Sequence, residues 1–227
     1  MRGFLIRLRL FIKLWFSSIY SLMTILLVPT IGIIIYSSGT YEIDDLSSLI
    51  YEKTATIWFV FIIQWCFSID LDSKFFNQLI TYPVVKWKFL LEKALFSAII
   101  FFGLTSIITI PLVFIYGEFL WQGFVFTIPV YLALGGFVIL GTMIGNHSLG
   151  GLMAGILFWM MILFGGALLR ELNAILLIYG SVQRFVSGES GLLLVENRWI
   201  IYNRLFYMGL GVLCTVGAIM KINRRSA

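Results

Sequence analysis

The sequence predicts an all-α membrane protein with six transmembrane helices. Of its 227 residues 60% are hydrophobic and only 12% are charged, and the mean hydropathy is +1.00. A soluble core of this length cannot bury so much apolar surface. Crossing hydrocarbon takes roughly 20 apolar residues. The whole chain, 1–227, is predicted to form one transmembrane domain with spans at about 16–37, 54–69, 94–116, 124–144, 149–169 and 200–220.

An amphipathic helix is predicted before the first span. Placed at about 100° per residue, Arg2, Arg9 and Lys13 fall on one narrow stripe, and apolar residues cover a broad opposite face. This pattern is typical of an interfacial helix that lies on a membrane surface. The alternative is a basic flank that only sets the orientation of the chain. Arg7 lies off the stripe, and we expect its side chain to snorkel.

An acidic loop, residues 40–52, separates the first two spans. It is too short to form a folded external domain, and we expect a solvated linker. The second apolar run is short for a span. We expect it to gain length from Leu49 and Ile50, with Lys53 snorkelling outward.

One long polar interruption, residues 70–93, lies between the second and third spans and carries an excess of lysine. Asp70, Asp72 and Ser73 are expected to cap a short helix that begins at Lys74, because carboxylates stabilise the positive end of a helix. The helix ends before a proline, which forces the preceding residue out of helical conformation. A plain inner loop with a basic flank is the alternative. The candidate interface residues of the short helix are Phe75, Phe76, Leu79 and Tyr82, since aromatic side chains often form interface hot spots.

The fourth and fifth spans are joined by a short turn, residues 145–150. So short a turn makes the two helices antiparallel neighbours. The turn contains His147, the only histidine, which we interpret as a polar turn residue. Two small-xxx-small pairs are expected to let the helix backbones approach closely, and they are Gly141 with Gly145 and Gly151 with Gly155.

Residues 170–199, between the fifth and sixth spans, contain two short apolar pieces separated by Gly180 and Ser181. We interpret the pieces as helices that dip into the outer leaflet without crossing it. A surface-lying amphipathic loop is the alternative. Arg204, just inside the sixth span, is expected to snorkel or to face a polar cavity, with snorkelling favoured.

The distribution of charge predicts cytoplasmic termini. With that orientation most of the 16 Lys and Arg residues lie inside and most of the 11 Asp and Glu residues lie outside, as the positive-inside rule requires. The net charge of +5 is then a topology signal, and no basic patch beyond these flanks indicates nucleic acid.

The sequence lacks motifs for most catalytic functions. It has no phosphate-binding loop, no His-Glu-x-x-His and no Gly-x-Ser-x-Gly, so ATP hydrolysis by the usual route and hydrolase chemistry are not expected of this chain. Cys66 and Cys214 fall inside predicted spans and form no metal-ligand spacing. No catalytic residue, cofactor site or metal site is predicted.

The coupling-helix region of ABC-2 type transporter permeases is similar to the run from Asn77 to Lys93, which contains Leu79-Ile80-Thr81-Tyr82-Pro83-Val84-Val85-Lys86. In that family a pattern close to Leu-x-Thr/Ser-x-Pro-Val/Leu-x-Arg/Lys follows the second span. The order of elements along the whole chain is also similar, from the interfacial helix to the dipping segment before the sixth span. Residues 196–207 resemble the family's approach to its last helix.

The resemblance implies half of an ATP-driven exporter. The chain would pair with an identical or sister permease, and two ABC ATPase subunits would bind the coupling helices from the cytoplasm. No cofactor is implied for this chain, because the ATPase subunits hydrolyse the ATP. The implied ATPase-coupling residues are Asp72, Lys74, Phe75, Phe76, Leu79, Tyr82 and Pro83.

Small permeases of this family that resemble this chain often export amphipathic or antimicrobial peptides. The resemblance therefore implies export of such peptides across a bacterial plasma membrane. Two other functions stay open. One is an ABC exporter of lipid or lipid-linked polysaccharide, and the other is a membrane scaffold or regulator outside the ABC class. An adjacent ATPase gene would favour the exporters, and a nearby peptide or glycosyltransferase gene would distinguish their cargo.

Overall fold

The structure, a computed structural model, is mainly helical in the part of the chain that it describes. The described residues are 2–26, 30, 45–72, 85–165, 172–191 and 194–224, with side chains from residue 4 onward. These ranges contain no β-strand, and the all-α prediction is confirmed. The helices are α1 (Arg2–Phe16), α2 (Ile19–Leu26), α3 (Ala55–Leu71), α4 (Lys86–Tyr116), α5 (Phe119–Gly145), α6 (Ser148–Phe164), α7 (Gly180–Val186) and α8 (Arg198–Arg224).

Within the described ranges, four helical stretches are long and apolar enough to cross a membrane. They are Ser48–Leu71, Lys86–Tyr116, Phe119–Gly145 and Val195–Arg224. A fifth candidate is the pair formed by Phe4–Phe16 and Ile19–Leu26, which is bent by 68°. Helix α6 has 17 residues and is about 26 Å long, less than the roughly 30 Å of a hydrocarbon core. The structure therefore gives four to five candidate spans, and the count of six remains a prediction.

Helix α5 lies at the centre of the bundle and packs against α3, α4, α6 and α8. Aromatic rings join α3, α4 and α5. The Phe101 ring centroid of α4 lies 4.5 Å from that of Phe59 in α3 and 4.8 Å from that of Tyr131 in α5. The rings are tilted or edge-on, as their quadrupoles favour. Other apolar side chains of α4 point away from this core, and Phe114 is 85% exposed.

Glycines bring α5 and α6 into close contact. A Cβ atom added to Gly141 would lie 2.7 Å from the Gly150 carbonyl oxygen, and one added to Gly151 would lie 2.8 Å from the Val138 carbonyl oxygen. A Cβ on Gly145 would lie 3.1 Å from the Gly150 Cα atom. The backbones of α5 and α6 therefore touch along this contact, which we call the α5–α6 seam. Larger residues do not fit at these positions.

Gly155 brings α6 against α3 as well as α5. A Cβ atom added there would lie 2.5 Å from Val60 Cγ1 in α3 and 2.8 Å from Val138 Cγ2 in α5. Three helices therefore meet at this position.

The acidic loop between the first two predicted spans is shorter than expected. Helical turns begin at Asp45, and the π-type turns Ser48–Thr54 continue directly into α3. Leu49 and Ile50 do extend the second run. Glu52, however, is only 1% exposed, so the prediction that it belongs to a solvated linker is wrong.

The first apolar piece of the predicted dipping segment does not form a helix. Residues 173–177 have irregular backbone, and their side chains are buried. The Asn173 side-chain oxygen accepts the backbone N–H of Ile175 at 3.2 Å, and such local bonds compete with helix formation. The second piece forms α7. An irregular, buried backbone needs hydrogen-bond partners from elsewhere in the protein.

The seam between α5 and α6 predicts a position-specific effect of alanine. Gly141→Ala is expected to destabilise the protein by about 1–3 kcal/mol, because its new methyl group meets packed atoms. Gly209→Ala in α8 is the matched control, since a Cβ atom there meets nothing within 4 Å. Thermal unfolding of the two detergent-solubilised variants measures the difference. Equal destabilisation by both variants would contradict the close packing of this seam.

Candidate functional site

Charge is divided between the two ends of the bundle. Helices α5 and α8 run parallel, since Gly136 lies against Gly211 and Gly217 faces Leu140. We call the end where α3, α5 and α8 finish the basic end, and the other the acidic end. Described charged residues at the basic end are Arg7, Arg9, Lys13, Lys86, Lys88, Lys93, Lys221 and Arg224, with Asp70, Asp72 and Glu92. At the acidic end they are Asp45, Glu52, Glu118, Glu189 and Glu196, with Lys53, Arg184, Arg198 and Arg204.

A buried ion pair joins α8 to the turns that precede α3. Arg204 Nη2 donates to Glu52 Oε1 at 2.8 Å, and the two side chains are 8% and 1% exposed. The same carboxylate accepts the Ser48 hydroxyl at 2.9 Å and the backbone N–H groups of Leu176 and Leu177 at 2.9 and 3.0 Å. Four donors thus converge on one carboxylate. Its charge is both paired and hydrogen-bonded, as burial requires.

One face of α8 satisfies the carbonyl groups of residues 172–174. Asn203, Arg204 and Tyr207 share this face, because Tyr207 lies three and four positions after the other two, and residues at these spacings are neighbours on a helix. Their side chains donate to the backbone oxygens of residues 173, 174 and 172 at 2.8, 3.0 and 2.6 Å. Glu52 meanwhile accepts the N–H groups of residues 176 and 177. The irregular segment is therefore bonded on both sides by helices that surround it.

The prediction that Arg204 snorkels is wrong. Its guanidinium turns inward. The guanidinium carbon lies 4.0 Å from the ring centroid of Phe126 in α5, and Glu52 supplies the opposite charge. Pairing inside the protein avoids the cost of exposing a charge to hydrocarbon. The Glu52–Arg204 centre thus holds α3, α8 and the 172–177 segment together at the acidic end.

Sequence reasoning missed this centre because it placed Glu52 and Arg204 in separate contexts, one in a loop and one at a snorkelling position. A signal was present. Each lies close to the start of an apolar run at the same predicted end of the bundle, and they have opposite charges. Ionisable residues in such positions usually pair with one another.

At the basic end, a second ion pair connects the two sides of the polar interruption. Lys93 Nζ of α4 lies 2.6 Å from Asp70 Oδ2 of α3, and both side chains are 12% exposed. The same ammonium lies 4.6 Å from the ring centroid of Phe11 in α1, within the range of a cation–π contact. The pair therefore fixes α3 and α4 where the interruption leaves the bundle and where it returns.

A hydrogen-bond chain ties the end of α3 to the turn between α5 and α6. Asp72 Oδ2 accepts the Ser148 hydroxyl at 2.6 Å, and Oδ1 accepts the Ser148 backbone N–H at 3.1 Å. Gln64 Nε2 donates to Ser148 Oγ at 3.1 Å and Gln64 Oε1 accepts the Tyr20 hydroxyl at 2.8 Å. His147 Nδ1 lies 3.3 Å from Asp72 Oδ1 in the same turn. Helices α2, α3 and α6 are thus connected.

Asp72 therefore accepts the first backbone N–H group of α6. A carboxylate at this position satisfies a free N–H group and stabilises the helix dipole. The helix predicted to begin at Lys74 lies outside the described residues. The other predicted coupling residues lie outside the described residues: Lys74, Phe75, Phe76, Leu79, Tyr82 and Pro83.

No family model, curated protein or solved structure matches the chain. The resemblance to ABC-2 permeases thus stays a prediction from the sequence.

The predicted interfacial helix forms α1, which packs its aromatic side chains against α3 and α4. Arg9 and Lys13 are exposed, and the side chain of Arg2 lies outside the described part of the chain. Arg7 was expected to snorkel, but its Nε atom pairs with Glu92 Oε1 of α4 at 2.5 Å. Helix α1 is thus anchored to the bundle by an ion pair as well as by its aromatic side chains.

The two charged centres are suited to holding elements in place. Glu52, Arg204, Asp70 and Lys93 each have an oppositely charged partner, so these groups balance charge within the protein. Among the residues that the structure describes, no three His, Cys, Asp or Glu side chains come together as a metal-binding group. The arrangement binds neighbouring helices to one another.

Removal of the guanidinium at position 204 is expected to be strongly destabilising. Arg204→Met leaves Glu52 buried without a counter-charge, which costs about 3–5 kcal/mol. The double variant Glu52→Gln/Arg204→Met should be more stable than Arg204→Met, because no charge remains unpaired. Arg198→Met, at an exposed position of the same helix, is the control and should change stability by less than about 0.5 kcal/mol. Thermal unfolding in detergent gives the comparison, and a double variant less stable than Arg204→Met would refute the pairing.

Proposed function

We propose that this protein is the transmembrane permease subunit of an ATP-driven exporter of the ABC-2 type. Its polar interruption would be the coupling element that docks onto an ATPase subunit. The observation that carries this proposal is the attachment of the interruption at both ends. Asp70 and Lys93, at the two ends of the interruption, form an ion pair. Asp72 accepts a hydrogen bond from Ser148 in the turn between α5 and α6. A partner that moves this element acts on α3, α4 and α6 together.

We place the basic end in the cytoplasm of a bacterial cell, with both termini inside. The excess of lysine and arginine among the described residues at that end supports this orientation, because cytoplasmic flanks are enriched in these residues. The interruption then faces the compartment that supplies ATP. An ATPase subunit would reach it without crossing the membrane.

The proposed topology has six spans in each permease. Helix α1 lies along the inner surface, and the first span begins with α2 after the 68° bend. The shorter α6 is the fifth span, and α8 is the sixth. Two such permeases, identical or sister, would form the translocation path and would bind two ATPase subunits.

We propose amphipathic peptides as the cargo. Helix α6 exposes three methionines, Met153, Met160 and Met161. Methionine is flexible and polarisable and adapts to ligands of varied shape. An exposed apolar face of this kind suits a peptide that carries its own apolar stripe. Lipid or lipid-linked polysaccharide is the alternative cargo for the same machinery.

Docking of the ATPase is tested by placing charge in the predicted interface. Phe75→Asp and Phe76→Asp are each expected to abolish co-purification of the ATPase, because a carboxylate in an aromatic hot spot costs several kcal/mol. Val195→Asp is the control, since Val195 is 72% exposed near the acidic end. The measurement is affinity purification of the tagged permease from native membranes, with ATP hydrolysis and mass spectrometry of the eluate. Retained ATPase in the Phe75 and Phe76 variants would count against this docking element, and absence of any ATPase with the unaltered chain would refute the proposed function.

Transmission from the docking element is tested at the start of α6. Ser148→Ala removes the hydroxyl that Asp72 binds, and a hydrogen bond to a charged group contributes about 1.5–3 kcal/mol. We expect the ATPase to remain bound but its stimulation by an amphipathic cytolytic peptide to fall about tenfold. Ser187→Ala, at the acidic end, is the control. ATP hydrolysis in proteoliposomes measures both, and full stimulation with Ser148→Ala would contradict this route.

A further inference from the structure

A cavity lies between α1 and the first part of α4 at the basic end. Its volume is about 580 Å³, within the range of roughly 300–1,000 Å³ typical of small-molecule sites. Leu10 and Leu14 of α1 form one apolar wall, and Phe89 and Phe96 of α4 form the other. Leu10 and Leu14 are 61% and 50% exposed, so this wall is continuous with the outer surface of the bundle.

The polar groups of the cavity carry one surplus positive charge. Arg7, Lys88 and Lys93 line it together with Asp70 and Glu92. Arg7 pairs with Glu92, and Lys93 pairs with Asp70. Among the described residues, no carboxylate forms an ion pair with Lys88, whose ammonium lies 5.6 Å from the Trp87 ring centroid. Lys88 therefore supplies the charge that a ligand would neutralise.

We propose that this cavity binds an anionic phospholipid from the leaflet beside the basic end. The phosphate lies next to Lys88, and one acyl chain runs along Leu10 and Leu14 into the bilayer. A phosphodiester carries one negative charge, which matches the surplus positive charge of the cavity. Basic pockets between membrane helices recognise lipid headgroups in this way. The inference is independent of any ATPase or cargo, so it can fail while the proposed function stands, or the reverse.

The ligand class is tested by titrating the full-length protein in detergent and measuring bound lipid by native mass spectrometry. The probes are phosphatidylglycerol, phosphatidylcholine with the same acyl chains, and glycerol 3-phosphate. We expect phosphatidylglycerol to bind at least about fivefold more tightly than either of the others. Equal binding of phosphatidylcholine would overturn the charge argument. Binding of glycerol 3-phosphate as tight as that of the lipid would overturn the role of the acyl wall.

The headgroup position is tested by a matched pair of lysine substitutions. Lys88→Gln is expected to weaken phosphatidylglycerol binding about fivefold, because it removes one basic group beside the phosphate. Lys86→Gln removes the same charge two residues away on the same helix, outside the cavity lining, and should leave binding nearly unchanged. Equal effects of the two variants would show only general attraction to the basic end and would overturn the site.

The acyl wall is tested in the same way on α1. Leu14→Asn is expected to weaken phosphatidylglycerol binding severalfold, since it replaces a lining side chain by a polar one. Leu5→Asn is the control, because Leu5 is also exposed on α1 but does not line the cavity. Both positions are exposed, and unchanged unfolding temperatures would show that the fold is retained. Loss of binding in both variants, or in neither, would refute this wall.

Discussion

The acidic end of this protein depends on a single carboxylate. Glu52 accepts four hydrogen bonds, two of them from the backbone of a segment that has no secondary structure to satisfy its own polar groups. In an apolar bundle water cannot replace these partners, and each buried group left unpaired costs about 1–3 kcal/mol. The segment can remain among the helices only because Glu52 takes its N–H groups and the polar face of α8 takes its carbonyl groups. Burial of this carboxylate in turn requires Arg204.

The helical stretch Ser48–Leu71 connects this centre to the basic end. Glu52 lies in the first turns of this stretch, and Asp70 and Asp72 lie at its C-terminal end. Both ends of the stretch are therefore held by charged side chains, while aromatic packing encloses its middle. A displacement applied at the basic end acts on an element whose far end is bonded to α8 and to the 172–177 segment. One helical element thus connects the polar groups at the two surfaces of the bundle.

Hydropathy was sufficient for the helical class and for the positions of several helices, since it averages over many residues. The predicted span 124–144 lies within α5, for example. Hydropathy could not show which polar side chains that are distant in the sequence contact one another. Glu52 and Arg204 are 152 positions apart, and Asp72 and Ser148 are 76 positions apart. The segment after residue 172 was interpreted as a helix because it is apolar. Its backbone bonds instead go to side chains of other elements, which no local pattern encodes.

The glycine contacts of α5 also determine which parts of the bundle can behave as one rigid body. The Gly141–Gly150 contact interlocks α5 with α6, and the Gly136–Gly211 contact, where an added Cβ would lie 2.6 Å from a carbonyl oxygen, does the same for α5 and α8. Rotating any of these helices about its own axis would drive side chains into a neighbouring backbone. Helices α5, α6 and α8 therefore form one rigid body. The bend at Ser17 and Ser18 between α1 and α2 lies outside this group of helices, and no glycine contact of this kind among the residues that the structure describes restrains it.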